Sequence, residues 1–148
     1  MSANPNYQPI YEGKPLFKQT QLTNGAPGTL ATPIVLLTAD TNDRQHINRL
    51  CIASDDTATG QFNLLLYDGT TYAPILALTI AIGAGTIVGT PTVDLLAALT
   101  GYCMVDGAGN KYLELPPGWD LRGFMTAAPT STKKFTITAI GATLGVPV

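Results

Sequence analysis

His46 is the sole histidine of the 148-residue chain, so a Ser-His-Asp triad or a multi-histidine metal site would have to be built around it alone. It stands beside Arg44 and Gln45 at the start of an apolar run, a setting that suits a strand-edge residue with a satisfied side chain better than a general base. Four aspartates, Asp40, Asp43, Asp55 and Asp56, fall in the stretches "ADTNDR" (39–44) and "SDDTATG" (54–60) and could offer oxygen ligands to calcium. Their spacing lacks the alternating ligands, central Gly and closing Glu of an EF-hand loop, so they read as solvated turn residues. The Gly-rich run "GAGTIVG" (83–89) has neither the Lys of a phosphate-binding P-loop nor its strand-loop-helix context, and reads as a turn followed by a strand. Trp119, in "PPGWDLRG" (116–123), could stack on a sugar, but a lone Trp opening a strand is more often a packing anchor. Cys51 and Cys103 are too few for a zinc site or a disulfide framework and lie in apolar settings, which favours two buried thiols over a bridge. No catalytic residue, metal or cofactor is expected, and the chain is not read as an enzyme.

Composition points the same way. Only 12% of the residues are charged, about half the usual share, while 45% are apolar. A folded monomer of this size exposes about 7,200 Å², or about 400 Å² for each charged residue. So sparse a charge coat favours association, and an assembled protein is expected. The net charge of -2 leaves no basic footprint for nucleic acid, and the eight Lys and Arg are scattered singly. The longest mostly apolar stretch, 73–88, is interrupted by Gly83, Ala84 and Gly85, so no membrane span is expected, and residues 1–15 lack the pattern of a signal peptide.

Positioning elements follow from the apolar pattern. Residues 1–30 contain Pro5, Pro9, Pro15 and Pro27 and no sustained period, and are read as an extended arm. Its Tyr7, Ile10, Tyr11, Leu16 and Phe17 are costly to leave in water, so the arm should lie on its own domain or a neighbour. Residues 31–148 then form one domain. Short β-branched runs separated by turn residues give eight candidate strands, at 32–39, 46–54, 60–69, 71–82, 85–89, 111–116, 119–127 and 133–143, the pattern of an antiparallel sandwich or barrel. Asp68-Gly69 is a hairpin turn signal. The segment "PTVDLLAAL" (91–99) breaks the rule: Leu95, Leu96 and Leu99 have helical spacing and Thr92 is placed to cap a short helix.

In the last strand Phe135, Ile137 and Ala139 share one face and Thr136, Thr138 and Ile140 the other. By contrast "LLLY" (64–67) and "ILALTIAI" (75–82) are apolar on both faces, more than a two-layer sandwich buries unaided. Either the arm or another subunit should cover the second face, and Leu65, Tyr67, Leu76, Leu78 and Ile80 are expected at a subunit interface.

The runs "YDGT" (67–70), "PTVDLL" (91–96), "DGAGNKYLELPPGW" (106–119) and the closing "KKFTITAIGA" (133–142) resemble a group of small structural proteins of tailed bacteriophages. The likeness spans about Ala31 to Ala142 and leaves the arm uncovered. It implies an all-β fold: a single jelly-roll-like antiparallel β-sandwich of about eight strands with one short helix, decorating and cementing the outside of a capsid shell. It also implies binding to the major capsid protein as a homotrimer at local three-fold junctions, with a dimer at two-fold positions as the alternative. The location would be the exterior of the virion, after assembly in the host cytoplasm. The arm, through Tyr7, Ile10, Tyr11, Leu16 and Phe17, is the expected capsid contact. The competing reading is a tail, baseplate or fibre module that binds a host-surface glycan. A separate carbohydrate-binding module has little support in so few aromatic residues.

Overall fold

The structure, a computed structural model, describes residues 14–145. Eight strands carry the architecture: β1 (Lys14–Thr23), β2 (Ile34–Thr38), β3 (Asp43–Ser54), β4 (Gly60–Tyr67), β5 (Tyr72–Ile80), then, past two strands of two residues, β6 (Val93–Asp94) and β7 (Met104–Val105), come β8 (Lys111–Leu115), β9 (Asp120–Met125) and β10 (Lys134–Gly145). A single helical turn, α1 (Leu95–Ala98), follows β6.

The pairing is symmetrical about the β4–β5 hairpin. β4 pairs with β5, β3 with β8, β2 with β9 and β1 with β10, all antiparallel, as in one long ribbon folded at residues 68–71. Rolling that ribbon places alternate pairs in two sheets, one ordered β1-β10-β3-β8-β7 with β6 beside β3, the other β2-β9-β4-β5. This is the jelly-roll arrangement of an all-β sandwich. The hairpin tip is fixed by Asp68, whose carboxylate accepts hydrogen bonds from the Thr70 and Thr71 N–H groups at 2.8 Å, while Gly69 takes a positive φ of 96°.

Between the sheets lies one apolar core. Phe135 and Ile137 of β10, Ile47, Leu50 and Ile52 of β3, and Phe62 and Leu64 of β4 are all buried in it. On β10 the expected alternation holds, with Phe135, Ile137 and Ala139 inward and Ile140 outward. Trp119 packs against this core.

Five sequence expectations are corrected. First, Lys14–Thr23 is no arm: it pairs with β10 along ten residues, so the sandwich starts at Lys14 rather than residue 31. Its Gln, Thr and Lys content is that of a strand with one wet face at a sheet edge, where Lys14, Pro15 and Lys18 also discourage stray pairing. Second, residues 85–89 form turns. Gly83 and Gly85 adopt φ of 65° and 74°, the Thr86 and Ile87 N–H groups return to the Gly83 carbonyl, and the chain never extends. Third, α1 is capped by Asp94 and not Thr92. The Asp94 Oδ1 accepts from Leu96 N at 2.9 Å and Ala97 N at 3.3 Å.

The fourth concerns the two-sided apolar strands. Ile80 and Leu65 are fully buried within the single chain and so are not surface residues, whereas Leu76 and Leu78 pack against its core and stay partly exposed. In β5 the register shift opposite Leu64 and Leu65 inserts Ile75 as an extra residue, and the consecutive Ile75 and Leu76 both reach the core. Leu65 points to the other face, flanked in register by Arg122 and Pro74.

Asp55 and Asp56 also have a structural role, and they are not simply solvated. Asp55 Oδ1 accepts from Lys134 N at 2.7 Å, and Asp56 accepts from Thr130 N at 2.9 Å and Ala58 N at 3.2 Å. The two carboxylates tie the β3–β4 loop to the loop before β10. Burial pushes the Asp56 carboxyl up, but the bonds from Thr130, Ala58 and Thr57 outweigh it and hold the pKa below the ordinary value. A depressed folded-state pKa contributes stability above the unfolded value near ~4, lost as pH falls through the folded value. Asp56→Asn is expected to cost about 1–3 kcal/mol at pH 7 in chemical denaturation, with variant and wild type converging below about pH 4. A difference constant down to pH 2.5 would contradict this account.

Candidate functional site

Three surfaces combine exposed apolar or aromatic side chains with polar groups. The first is the outer face of the β1-β10-β3 sheet. Here Phe17, Ile140 and Arg49 lie side by side in register, followed by the rows Gln19-Thr138-Cys51 and Gln21-Thr136-Ala53, with Pro15-Ala142-His46 on the other side. Not one of these twelve positions is acidic and only Arg49 is a permanent cation. Phe17 is 68% exposed and Ile140 36%. Of the arm residues expected to contact a capsid, Phe17 is thus in water on this face, whereas Leu16 turns inward against the core. Tyr7, Ile10 and Tyr11 lie outside the described residues.

A second surface is the outer face of the β4-β5-β9 layer near the hairpin tip. Arg122 Nη2 and Nε donate to Asp120 Oδ2 at 2.6 and 3.0 Å, and Nη1 donates to the Tyr72 hydroxyl at 3.1 Å. The guanidinium lies 4.3 Å from the centre of the Tyr67 ring, which stacks on Tyr72 with centroids 4.5 Å apart. Tyr67, expected at a subunit interface, is therefore engaged in this stack. The alternating strands β4 and β9 bring Tyr67 and Asp120 opposite one another, and the short hairpin returns Tyr72 alongside. No sequence spacing signalled this cluster, because its members come from three strands.

A groove on the open side of β3 is the third. β8 pairs with β3 at Gln45–Ile47 and β6 pairs with it at Cys51–Ile52, which leaves Asn48, Arg49 and Leu50 between them. A groove of about 670 Å³ opens there, bounded by α1 and by the turn before β8, with Arg49, Asp94, Asn110 and Lys111 on its walls. The gap falls at a bulge opposite Ile140 and Gly141. Gly141 is needed at that point, since a Cβ there would overlap the His46 carbonyl.

The remaining chemical candidates are dispersed. His46 stacks on Tyr112 with ring centroids 3.8 Å apart. Cys51 and Cys103 are free, each half-buried. Burial, with a contribution from Asp94, raises both thiol pKa values, which leaves them protonated and weakly nucleophilic near neutral pH. Among the described residues no group of three His, Cys, Asp or Glu side chains is placed to hold a metal ion, and no helix is long and apolar enough to cross a membrane. Comparison of the chain with protein-family models, curated proteins and solved structures found no match.

Arg122 is the natural point to probe the aromatic cluster. Arg122→Ala strips a largely buried Asp120 of its partner and is expected to lower the unfolding free energy by about 2–3 kcal/mol. Arg122→Lys should recover less than half of that, because an ammonium cannot reproduce the three directed bonds. Equal stability of the Lys variant and the wild type in urea titrations would show that the fork geometry is immaterial.

Proposed function

We propose that this chain is a structural protein of a bacteriophage virion that decorates the capsid and cements it by binding the major capsid protein. The observation that carries the reading is the outer face of the β1-β10-β3 sheet, whose twelve paired positions bear no carboxylate and leave Phe17 and Ile140 standing in water. Such a surface is apt for docking and supplies no catalytic group. Support comes also from the resemblance of the runs at 67–70, 91–96, 106–119 and 133–142 to small phage structural proteins, and from the sparse charge of the chain. The jelly roll is an architecture that serves many functions, this role among them.

In this role the protein works by linkage: it binds the assembled shell better than free shell subunits and stabilises the assembled form by that difference. Each contact is modest. Repetition over a symmetric lattice, and within a homotrimer, multiplies the contacts so that the shell resists the pressure of packaged DNA without covalent links. Tyr7, Ile10 and Tyr11, which precede β1 and lie outside the described residues, belong to the same proposed contact.

Copy number is the decisive test. Quantitative mass spectrometry of purified virions should give a simple fraction of the major capsid protein, on the scale of the whole lattice. A few copies per particle would transfer the protein to the tail or fibre. Two variants refine the contact. Deleting residues 2–13 should abolish shell binding in co-sedimentation while leaving thermal stability unchanged, whereas deletion through residue 20 removes seven residues of β1 and should unfold the domain. Phe17→Asp should weaken shell binding at least tenfold with no loss of stability, and full binding by this variant would exclude the β1 face as the contact.

A further inference from the structure

We propose that the groove beside Asn48–Leu50 accepts a short extended acidic segment of the shell protein, which adds as a strand to the open side of β3 and places its carboxylates on Arg49 and Lys111. The inference deepens the capsid reading and rests on it for the identity of the partner.

Four observations converge. The interruption between β8 and β6 leaves three consecutive residues of β3 without a strand neighbour on that side among the described residues, a gap of about 10 Å that an extended tripeptide spans. Arg49 and Lys111, both lining the groove, have no carboxylate within ion-pairing distance, since the two salt bridges among the described residues join Arg44 to Glu114 and Arg122 to Asp120. The nearby acids, Asp94 on the groove wall and Asp106 in the adjoining smaller pocket, accept main-chain bonds: Asp94 Oδ1 from Leu96 and Ala97, and Asp106 Oδ1 from Ala108 and Asn110 at 2.8 and 2.9 Å. Those bonds, foremost from Asn110, hold the Asp106 pKa below its ordinary value, so it stays ionised and fixed in its turn. The floor is apolar, with the buried Leu50 and Leu96 beneath.

Together these features select the occupant. Main-chain hydrogen bonding at this three-residue interruption asks for an extended peptide, and two cations without an ion-pair partner among the described residues ask for acidic side chains. Asn48 and Asn110 supply further side-chain donors and acceptors at the adjoining end, where a smaller pocket shares Arg49 and Lys111. The groove also borders the docking face, since Arg49 lies in register with Ile140 and Phe17. One partner surface can therefore cover the face and insert a strand in the same encounter.

The test is a nuclear magnetic resonance titration of the full, isotope-labelled chain with the capped hexapeptide acetyl-Thr-Val-Glu-Val-Glu-Val-amide, its Gln-for-Glu analogue and inorganic phosphate. The glutamate peptide should shift the amides of Asn48, Arg49, Leu50, Asn110 and Lys111. Its affinity should fall about three- to fivefold in Arg49→Gln or Lys111→Gln and about tenfold in the double variant, on the scale of exposed ion pairs. Ala97→Trp, which fills the groove from the helix side, should suppress the shifts. Equal binding of the Gln analogue, the same shifts produced by phosphate alone, or shifts confined to other residues would overturn the proposal. A parallel co-sedimentation with shells separates the two readings. Shell binding that survives in the double variant overturns the groove as a capsid contact and leaves the decoration role standing. Failure of the wild type to bind shells overturns the decoration role, while the peptide titration still decides the groove.

Discussion

Everything in this molecule hangs on the ladder between β3 and β10. It joins Asp43–Ser54 to the far end of the chain over eleven paired positions, and it stitches the outermost strand pair of the folded ribbon to the β3–β8 pair. Without it the β1–β10 pair would be a separate two-stranded ribbon, which is marginal in water. With it, Ile47, Leu50 and Ile52 meet Phe135 and Ile137 on one inner face, and the second sheet has a continuous apolar floor to close upon. The ladder is not uniform. Its register slips at Ile140 and Gly141, where the glycine lets the backbone come against the His46 carbonyl. That local slip keeps both ends of β3 inward-facing in the right places while turning Asn48 and Arg49 outward together. Core continuity and the groove beside β3 thus have a common origin.

Much of the fold was legible in the sequence because turn chemistry punctuates it. Asp68-Gly69, the Asp106–Asn110 turn and Pro116-Pro117-Gly118 each break the chain at the place where a strand ends. Seven of the eight runs read as strands overlap strands of the structure, and the exception, 85–89, has glycines at both ends that permit strand and turn alike. β1 escaped notice for the opposite reason. A sheet-edge strand with one wet face buries little, so Gln, Thr and Lys dilute the alternation, and its prolines suggested an arm. Part of the two-sided apolar pattern is accounted for within one chain by a bulge that composition does not show: once Ile75 is an extra residue, two adjacent apolar side chains can reach the same core.

Site residues were less legible than strands. The Arg122, Asp120, Tyr67 and Tyr72 cluster and the walls of the β3 groove are each assembled from three or more segments far apart in sequence, and no local spacing encodes such a meeting. What the sequence did convey was negative and compositional: one histidine, few charges, dispersed acids. The structure gives those scattered acids work of another kind. Asp55, Asp56, Asp68, Asp94 and Asp106 each accept main-chain N–H bonds at a loop, hairpin or helix cap, so half of the ten acidic residues act as fasteners of the backbone.

The central place of β10 bears on how the chain is made. The strand that lies between β1 and β3 is the last of the ribbon to leave the ribosome, so residues up to about 133 emerge with the first sheet still missing its middle. Closure of that sheet has to wait for β10, and until Lys134–Gly145 has emerged β1 and β3 lack the strand that joins them. Long-range pairing of this kind is slow and exposes aggregation-prone edges in the interim. The edge placement of Lys14, Pro15 and Lys18 on β1 and of Pro74 on β5 guards the folding chain during that delay as much as it guards the finished protein. Synthesis itself therefore sets a requirement on surface residues that the completed fold does not reveal.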